Sequence, residues 1–282
     1  MINETSAARS VIAKFRSMHE AGCFVLPNPW DVGTAVFLQH LGFEALATTS
    51  AGFAFSRGLP DSVTAVSRDA MLEHIHEVVH ATSLPVNADF QNGYADEPEG
   101  VAENVTLCAA TGVAGLSIED ASGNSSTPLY EAALAIERIR AARTAIDASG
   151  IPVVLTGRCE AWLVGHADPF RVALERLVAY SEAGADCLYA PGISEPDEIA
   201  AIVEAVAPKP VNVLVGGPNP ALTVSRLGDL GVRRVSVGAA LSRVAWGAFI
   251  RAARSIKETG SFDAFADAAP FNELDDVFSK NQ

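Results

Sequence analysis

Short apolar runs alternate with longer amphipathic stretches along the whole chain. Eight of these runs predict β-strands, and several are continuously apolar, as expected for parallel strands covered on both faces. The predicted strands are residues 24–26, 45–49, 85–89, 115–119, 152–156, 187–190, 211–215 and 234–237. The stretches between them predict helices at residues 67–81, 98–111, 129–148, 169–183, 195–206 and 221–230.

Eight strand–helix units in one chain favour an α/β fold of the (β/α)8 TIM-like barrel type. An open doubly wound sheet is the alternative. An extra N-terminal helix in residues 1–22 precedes a barrel core of residues 23–240, and residues 241–282 add C-terminal helices. No low-complexity linker divides the chain, so we predict a single domain.

The composition narrows the classes of function. The chain has 282 residues, 49% of them hydrophobic, and its 20 basic and 34 acidic residues give a formal net charge of −14. We therefore expect no binding to nucleic acid or to a membrane, whereas a small anionic substrate fits if a cation or an arginine reverses the local charge. No apolar run approaches the ~20 residues of a membrane-spanning helix. No secretory signal is visible, and the four cysteines lack zinc-site spacing, so we expect a cytoplasmic protein with reduced thiols.

Polar side chains stand at the ends of three predicted strands. Asn87 and Asp89 lie on one side of their strand because side chains alternate along it. Glu119 ends one later strand and Arg158 follows another, and in a barrel these ends meet at one mouth, where the chemistry is done. Carboxylates suit Mg²⁺, and a guanidinium suits a substrate carboxylate or phosphonate. The alternative is structural: Asp89 caps a turn and Glu119 forms an ion pair with Arg158.

Other strand-end positions add candidates for substrate binding and proton transfer. Ser50, Ala51 and Gly52 form a predicted turn whose backbone amides suit an oxyanion, although such turns are common. Tyr189 and Asn212 belong to the sixth and seventh strands, at the same mouth.

Five short segments together resemble the isocitrate lyase/phosphoenolpyruvate mutase superfamily. They are Thr49-Ser50-Ala51-Gly52, Leu59-Pro60-Asp61, Asn87-Ala88-Asp89 with Gly93-Tyr94, Ser117-Ile118-Glu119-Asp120, and Gly157-Arg158-Cys159-Glu160. Taken alone, Asp61 is a turn or helix cap, and its place in the site is implied by the resemblance. The resemblance also implies that the last barrel helix is exchanged between subunits, giving a homodimer or homotetramer.

The resemblance further implies a chemistry. It implies Mg²⁺ held directly or through water by Asp89 and Glu119, with Asn87 beside them. It implies a small anionic 2-oxo acid bound by the metal, by the turn at residues 50–52 and by Arg158. Reactions of the superfamily make or break a C–C or P–C bond next to such an acid through an enolate, whose charge Mg²⁺ stabilises.

The chain departs from the superfamily pattern in two places. The lyases carry a Lys-Lys/Arg-Cys-Gly-His loop after the strand that ends at Glu119, whereas residues 121–128 here contain no Cys, His or Lys. Asn87 stands where the superfamily has an aspartate. We therefore predict a Mg²⁺-dependent C–C lyase or decarboxylase that is not isocitrate lyase proper. In it the 121–128 loop closes over the site, and Tyr189 or a metal-bound water donates the proton.

Two other functions stay open. Asn124 matches an Asn that the mutases and phosphonopyruvate hydrolases place in this loop, and together with Arg158 it supports P–C bond chemistry. The missing acid/base residues support a non-catalytic barrel that binds a keto acid.

Overall fold

The computed structural model describes residues 2–280, with side chains from Arg9 onward. Its eight strands are β1 (Phe24–Leu26), β2 (Leu46–Ala47), β3 (Val86–Asp89), β4 (Gly115–Glu119), β5 (Val154–Arg158), β6 (Cys187–Tyr189), β7 (Val211–Leu214) and β8 (Arg234–Ser236). Its α-helices are α1 (Ile2–Met18), α2 (Val32–His40), α3 (Ser50–Ser56), α4 (Arg68–His80), α5 (Pro98–Ala110), α6 (Ala132–Ser149), α7 (Pro169–Glu182), α8 (Pro196–Val206), α9 (Val224–Asp229), α10 (Ala240–Thr259) and α11 (Phe271–Ser279). A 3₁₀ helix spans Asp263–Asp267.

The strands form one parallel sheet that curls into a nearly closed barrel. Its order is β1-β8-β7-β6-β5-β4-β3-β2. The two end strands approach each other, since the Ala47 amide of β2 donates to the carbonyl of Pro27, just after β1, at 3.0 Å. This arrangement confirms the predicted (β/α)8 barrel, and the open doubly wound alternative is wrong because an open sheet leaves its end strands apart.

Helix α1 covers the N-terminal end of the barrel. Ile12 and Phe15 are fully buried there. The Arg16 guanidinium donates to the Pro152 carbonyl and forms an ion pair with Asp186 at 3.3 Å. The additional N-terminal helix predicted from the sequence therefore packs against the barrel end opposite to the predicted active site. Across residues 2–280, no helix combines the length and apolar character needed to cross a membrane.

Several element boundaries differ from the sequence prediction for local reasons. Helix α3 is helical where a turn was predicted, because Thr49 caps it: the Thr49 hydroxyl accepts the Gly52 amide. Strand β2 is consequently shorter than predicted. Strand β5 extends to Arg158, so this residue lies within the strand. Helix α2, which the sequence analysis did not predict, begins after a capping box at Asp31.

Candidate active site

A cavity of about 170 Å³ lies at the carboxyl ends of the strands. This volume is below the range of roughly 300–1,000 Å³ typical of sites for drug-sized ligands, so the cavity suits a small molecule. The lining residues predicted from the sequence are Ser50, Ala51, Asp61, Asn87, Asp89, Arg158 and Tyr189. The structure thus brings most of the predicted site residues to one mouth.

Asp89 is held in place by the segment between β2 and α3. Its backbone amide donates to the Thr48 hydroxyl at 2.9 Å. Its Oδ2 accepts both the backbone amide and the hydroxyl of Ser50, each at 2.9 Å. The Ser50 amide is therefore occupied by a protein carboxylate, and this helical turn acts on the site by fixing Asp89.

Arg158 lies at the centre of the acidic side chains. Its Nη1 lies 3.2 Å from Asp89 Oδ1 and 3.3 Å from Glu119 Oε2, and its Nε donates to Glu160 Oε1 at 2.5 Å. Its guanidinium carbon lies 5.2 Å from the ring centroid of Tyr189, in cation–π range. Within the described part of the chain, Nη2 forms no hydrogen bond, so one edge of the guanidinium stays available to a ligand.

Three carboxyl groups surround the single guanidinium of Arg158. Burial raises the pKa of the Glu119 carboxyl, and the neighbouring Glu160 and Asp89 raise it further against the opposing effect of Arg158. Burial likewise raises the pKa of Glu160. For Arg158, burial by itself lowers the pKa, but Glu119 and Glu160 outweigh it and raise the value. One guanidinium thus faces three carboxyl groups, and burial together with the neighbouring acidic groups favours the protonated forms of Glu119 and Glu160.

This donor set fits a hard divalent cation bound partly through water. Asp89 and Glu119 contact the same Arg158 nitrogen, so their oxygens lie within two hydrogen-bond lengths of each other. Mg²⁺ prefers such oxygen ligands and keeps several waters. Among the described residues no cluster of three or more His, Cys, Asp or Glu is preformed around a metal position. The third predicted metal ligand, Asn87, directs its Oδ1 toward Arg234, and this oxygen lies 3.5 Å from Arg234 Nη1.

Two ionisable groups at the cavity suit proton transfer. Asp61 is exposed at the mouth, but partial desolvation raises the pKa of its carboxyl. Asp89 raises it as well, while Arg158 opposes the shift. Burial raises the pKa of Tyr189 to about 12, so its phenol is protonated at neutral pH and can donate a proton.

Four predicted site residues do not line the cavity. Glu119 is one of them, and it is paired with Arg158. Gly52 is buried against Trp30. Asn212 lies inside the barrel, where Oδ1 accepts the Arg234 Nε at 2.9 Å. Asn124 is exposed, and its Oδ1 accepts the Ser126 amide at 2.9 Å. Within the described chain, the side chains of Asn212 and Asn124 thus have structural partners.

The loop between β4 and α6, residues 121–129, is an ordered hairpin. Ala121 and Leu129 form an antiparallel bridge, and the Ser122 amide donates to the Pro128 carbonyl at 3.0 Å. Gly123, at φ +74°, packs so closely on Val63 that a Cβ there would clash. The hairpin therefore contacts the segment that carries Asp61, beside the cavity mouth.

The role of Asp120 is visible only in the folded structure. Asp120 follows Glu119 and therefore points to the opposite side of the strand. Its carboxylate accepts the Glu160 amide at 2.8 Å, the Arg176 guanidinium at 2.9 Å and the Tyr180 hydroxyl at 2.7 Å. Asp120 thus fixes the backbone at Glu160 from behind the site. The sequence shows an acidic pair at the end of a strand, but the pair by itself does not indicate which of the two side chains faces the barrel interior.

The cysteines offer no substitute for the missing acid/base residue. No cysteine of the described chain lines the cavity. Burial raises the pKa of Cys108, Cys159 and Cys187, which keeps these thiols protonated and poorly nucleophilic.

Comparison with known proteins assigns the chain to a family. The model of the phosphoenolpyruvate phosphomutase family matches residues 15–257. A lyase/mutase-type structure from Burkholderia cenocepacia J2315 is 48% identical, with a TM-score of 0.92 and 97% of each chain covered. An uncharacterized protein of Mycobacterium tuberculosis is 36% identical over 92% of this chain and 94% of its own.

One similar structure contains a small acid. It is oxaloacetate acetylhydrolase in complex with its product oxalate, which is 26% identical, with a TM-score of 0.84 and 95% and 94% of the two chains covered. The match of the family model over most of the chain agrees with the barrel and with the acidic site at its mouth. The chain belongs to the phosphoenolpyruvate phosphomutase family of the isocitrate lyase/phosphoenolpyruvate mutase superfamily, and it is an enzyme of the lyase and mutase type.

Proposed function

We propose that this enzyme cleaves or forms a C–C bond next to a small 2-oxo carboxylate, with Mg²⁺ as its cofactor. The observation that carries the proposal is the position of Arg158, which lines a small cavity with Nη2 free of partners in the described chain. A planar guanidinium edge is complementary to a carboxylate. The similarity to oxaloacetate acetylhydrolase supports oxaloacetate and related dicarboxylates as the substrate class.

Asp89 and Glu119 would hold the metal, partly through water. The crowding of three carboxyl groups around Arg158 supports this, since a divalent cation offsets the repulsion that opposes their ionisation. When bound, Mg²⁺ supplies positive charge where the oxo acid develops negative charge. Asn87 would orient a ligand or a water molecule at this position.

The proton required by the reaction would come from Tyr189 or Asp61. Tyr189 is protonated at neutral pH and lies against Arg158. Asp61 has a raised pKa and lies at the mouth, so it can exchange protons with solvent. The hairpin at residues 121–129 contacts the Asp61 segment through Gly123, and we propose that it closes over the bound substrate.

A substrate panel tests this function. Purified protein is assayed with oxaloacetate, 2-methylisocitrate and phosphonopyruvate, each with Mg²⁺ and with a chelator. We expect turnover of a 2-oxo carboxylate that requires Mg²⁺ and falls at least about 100-fold in Arg158→Met, because a charge-assisted contact to the substrate is lost. Arg171→Met is the matched control, since Arg171 lies in an exposed ion pair with Asp168. Absence of both turnover and Mg²⁺-dependent binding across the panel would contradict the proposal.

The same panel separates the lyase from P–C bond chemistry. Asn124, which supports that alternative, is exposed and has Ser126 as its partner. Phosphorus NMR with phosphonopyruvate detects any rearrangement or hydrolysis directly. Signals of phosphoenolpyruvate or phosphate, without C–C cleavage of the other acids, would favour the mutase or hydrolase.

We also propose that α10 packs on a second copy of the chain, giving a homodimer or homotetramer. This amphipathic helix of 20 residues has a single buried side chain, Ser242. Val244, Trp246 and Phe249 are 68%, 40% and 61% exposed. In a barrel, the helix after the last strand normally covers the sheet. An apolar helix face left uncovered therefore supports exchange of α10 between subunits.

Sedimentation velocity tests the assembly. We expect an oligomer for the unmodified chain and dissociation for Phe249→Glu, because a buried unpaired carboxylate is unfavourable. Glu258→Gln on the same helix is the control. A monomer at micromolar concentration would contradict the proposal.

The four cysteines are free thiols, and we place the enzyme in the cytoplasm.

A further inference from the structure

The barrel interior just below the cavity is polar. TIM-barrel interiors are usually filled by branched apolar side chains. Here β3, β5, β7 and β8 each carry a buried polar residue two positions before a residue that lines the cavity, on the same side of the strand. These buried residues are Asn87, Thr156, Asn212 and Arg234. They form a layer of hydrogen-bonding groups at the floor of the candidate active site, where Asn87 itself lines the cavity.

Arg234 is the centre of this layer. It is 2% exposed. Its Nε donates to Asn212 Oδ1 at 2.9 Å and its Nη2 to Thr156 Oγ1 at 3.0 Å. Its Nη1 lies 3.5 Å from Asn87 Oδ1 and 3.4 Å from His19 Nε2. Every one of these acceptors is a neutral group.

The positive charge of Arg234 is therefore not compensated by a neighbour. Among the described side chains it forms no ion pair, whereas Arg158, one layer above, contacts three carboxylates. Removing a guanidinium from water is unfavourable unless charges compensate it. The cavity offers a space in which an anion can do so, because it is lined by Asn87 and by Ser236, two residues beyond Arg234.

Arg234 also fixes the lining residues above it. Asn87 directs its carbonyl oxygen toward the guanidinium, because the reversed amide would oppose two donors. Gly115 leaves the room for this, since a Cβ there would lie 2.7 Å from Asn87 Oδ1. Asn212, held by Arg234, donates through Nδ2 to the Ser236 hydroxyl at 2.9 Å. The contacts of Arg234 thus reach two cavity-lining side chains.

We propose that Arg234 is a positioning residue that sets the charge of the active site from beneath it. It holds Asn87 and Asn212 in their orientations, and its uncompensated charge gives the cavity affinity for a carboxylate anion even without a divalent cation. Asn87 is essential to this arrangement, because an aspartate at this position would form an ion pair with the guanidinium and cancel its charge. The inference rests on the proposed function and specifies how that site distinguishes anions.

Calorimetry with oxalate tests the inference on the full chain, in a chelator and in Mg²⁺. In the chelator, we expect Arg234→Met to weaken oxalate binding about tenfold or more, and Arg234→Lys to restore most of it. Asn87→Asp should weaken binding similarly in the chelator and make it dependent on Mg²⁺. Arg233→Met is the matched control, because it removes the same charge from a side chain whose one hydrogen-bond partner among the described residues is the carbonyl of Gly22, at 3.5 Å.

Three outcomes would overturn the inference. One is that unmodified protein binds oxalate only with Mg²⁺; the proposed function then stands and the inference alone is wrong. Another is that folded Arg234→Met and Asn87→Asp bind oxalate within about twofold of the unmodified chain. If Arg234→Met does not fold, as judged by circular dichroism, the nearly isosteric Asn87→Asp decides alone. Absence of oxalate binding in both conditions, with no turnover, contradicts the inference and the proposed function together.

Discussion

His19 makes the stability of the fold depend on pH in a defined way. It follows α1 and lies against Arg234 at the N-terminal end of the barrel. Its Nδ1 lies 2.7 Å from the Phe15 carbonyl, which can only accept, so Nδ1 carries the proton and Nε2 offers its lone pair to Arg234. Burial, and then the charge of Arg234, lower the pKa of His19 from 6.5 to about 3.

The sign of the effect follows from linkage. Because the pKa is lowered in the folded state, the unfolded chain binds a proton that the folded chain does not bind. The stabilisation from neutral His19 is therefore fully present above 6.5, the pKa in the unfolded chain. It is lost as the pH falls from 6.5 toward about 3, at roughly 1.4 kcal/mol per pH unit. Between pH 7 and pH 5, the contribution of His19 to the loss is about 2 kcal/mol.

Replacement by glutamine isolates this contribution. His19→Gln keeps an acceptor near Arg234 but does not titrate. Urea unfolding at pH 7 and pH 5 is compared for the unmodified chain, for His19→Gln and for His40→Gln, whose side chain is exposed. We expect the stability difference between the two pH values to shrink by about 2 kcal/mol in His19→Gln and to stay unchanged in His40→Gln. An unchanged pH dependence in His19→Gln would refute the neutral, buried assignment.

Two further predictions concern residues that support the site from outside it. Asp120→Ala should destabilise the fold by about 3–5 kcal/mol in urea unfolding, because it leaves the Arg176 guanidinium and the Tyr180 hydroxyl without their acceptor. A loss below about 1 kcal/mol would contradict this role. Gly123→Ala should cost roughly 1 kcal/mol for the positive φ and, through the clash with Val63, also reduce kcat/KM several-fold. Gly150→Ala is its control, having φ +66° and open space around it, and equal kinetics for the two variants would argue against the loop contact.

Much of the site follows from local pattern and strand periodicity. The spacing of Asn87 and Asp89 puts both on the inner side of β3, and the apolar runs before Glu119 and Arg158 bring them to the same mouth. The sequence could not tell which acidic neighbour faces inward at β4, because the Glu119-Asp120 pair is consistent with either register. It also could not show that the Ser50 amide is already occupied by Asp89, since that contact joins residues 39 positions apart.

The sequence by itself determined the barrel, the polar residues at its mouth and the family resemblance. These depend on hydrophobic periodicity and on short segments whose order along the chain is fixed. Only the tertiary structure decided the charge balance of the site. The ion pairs of Arg158 and the neutral surroundings of Arg234 depend on strands that meet after closure of the barrel. Electrostatic interactions act through distance and burial, and neither quantity exists until the chain has folded.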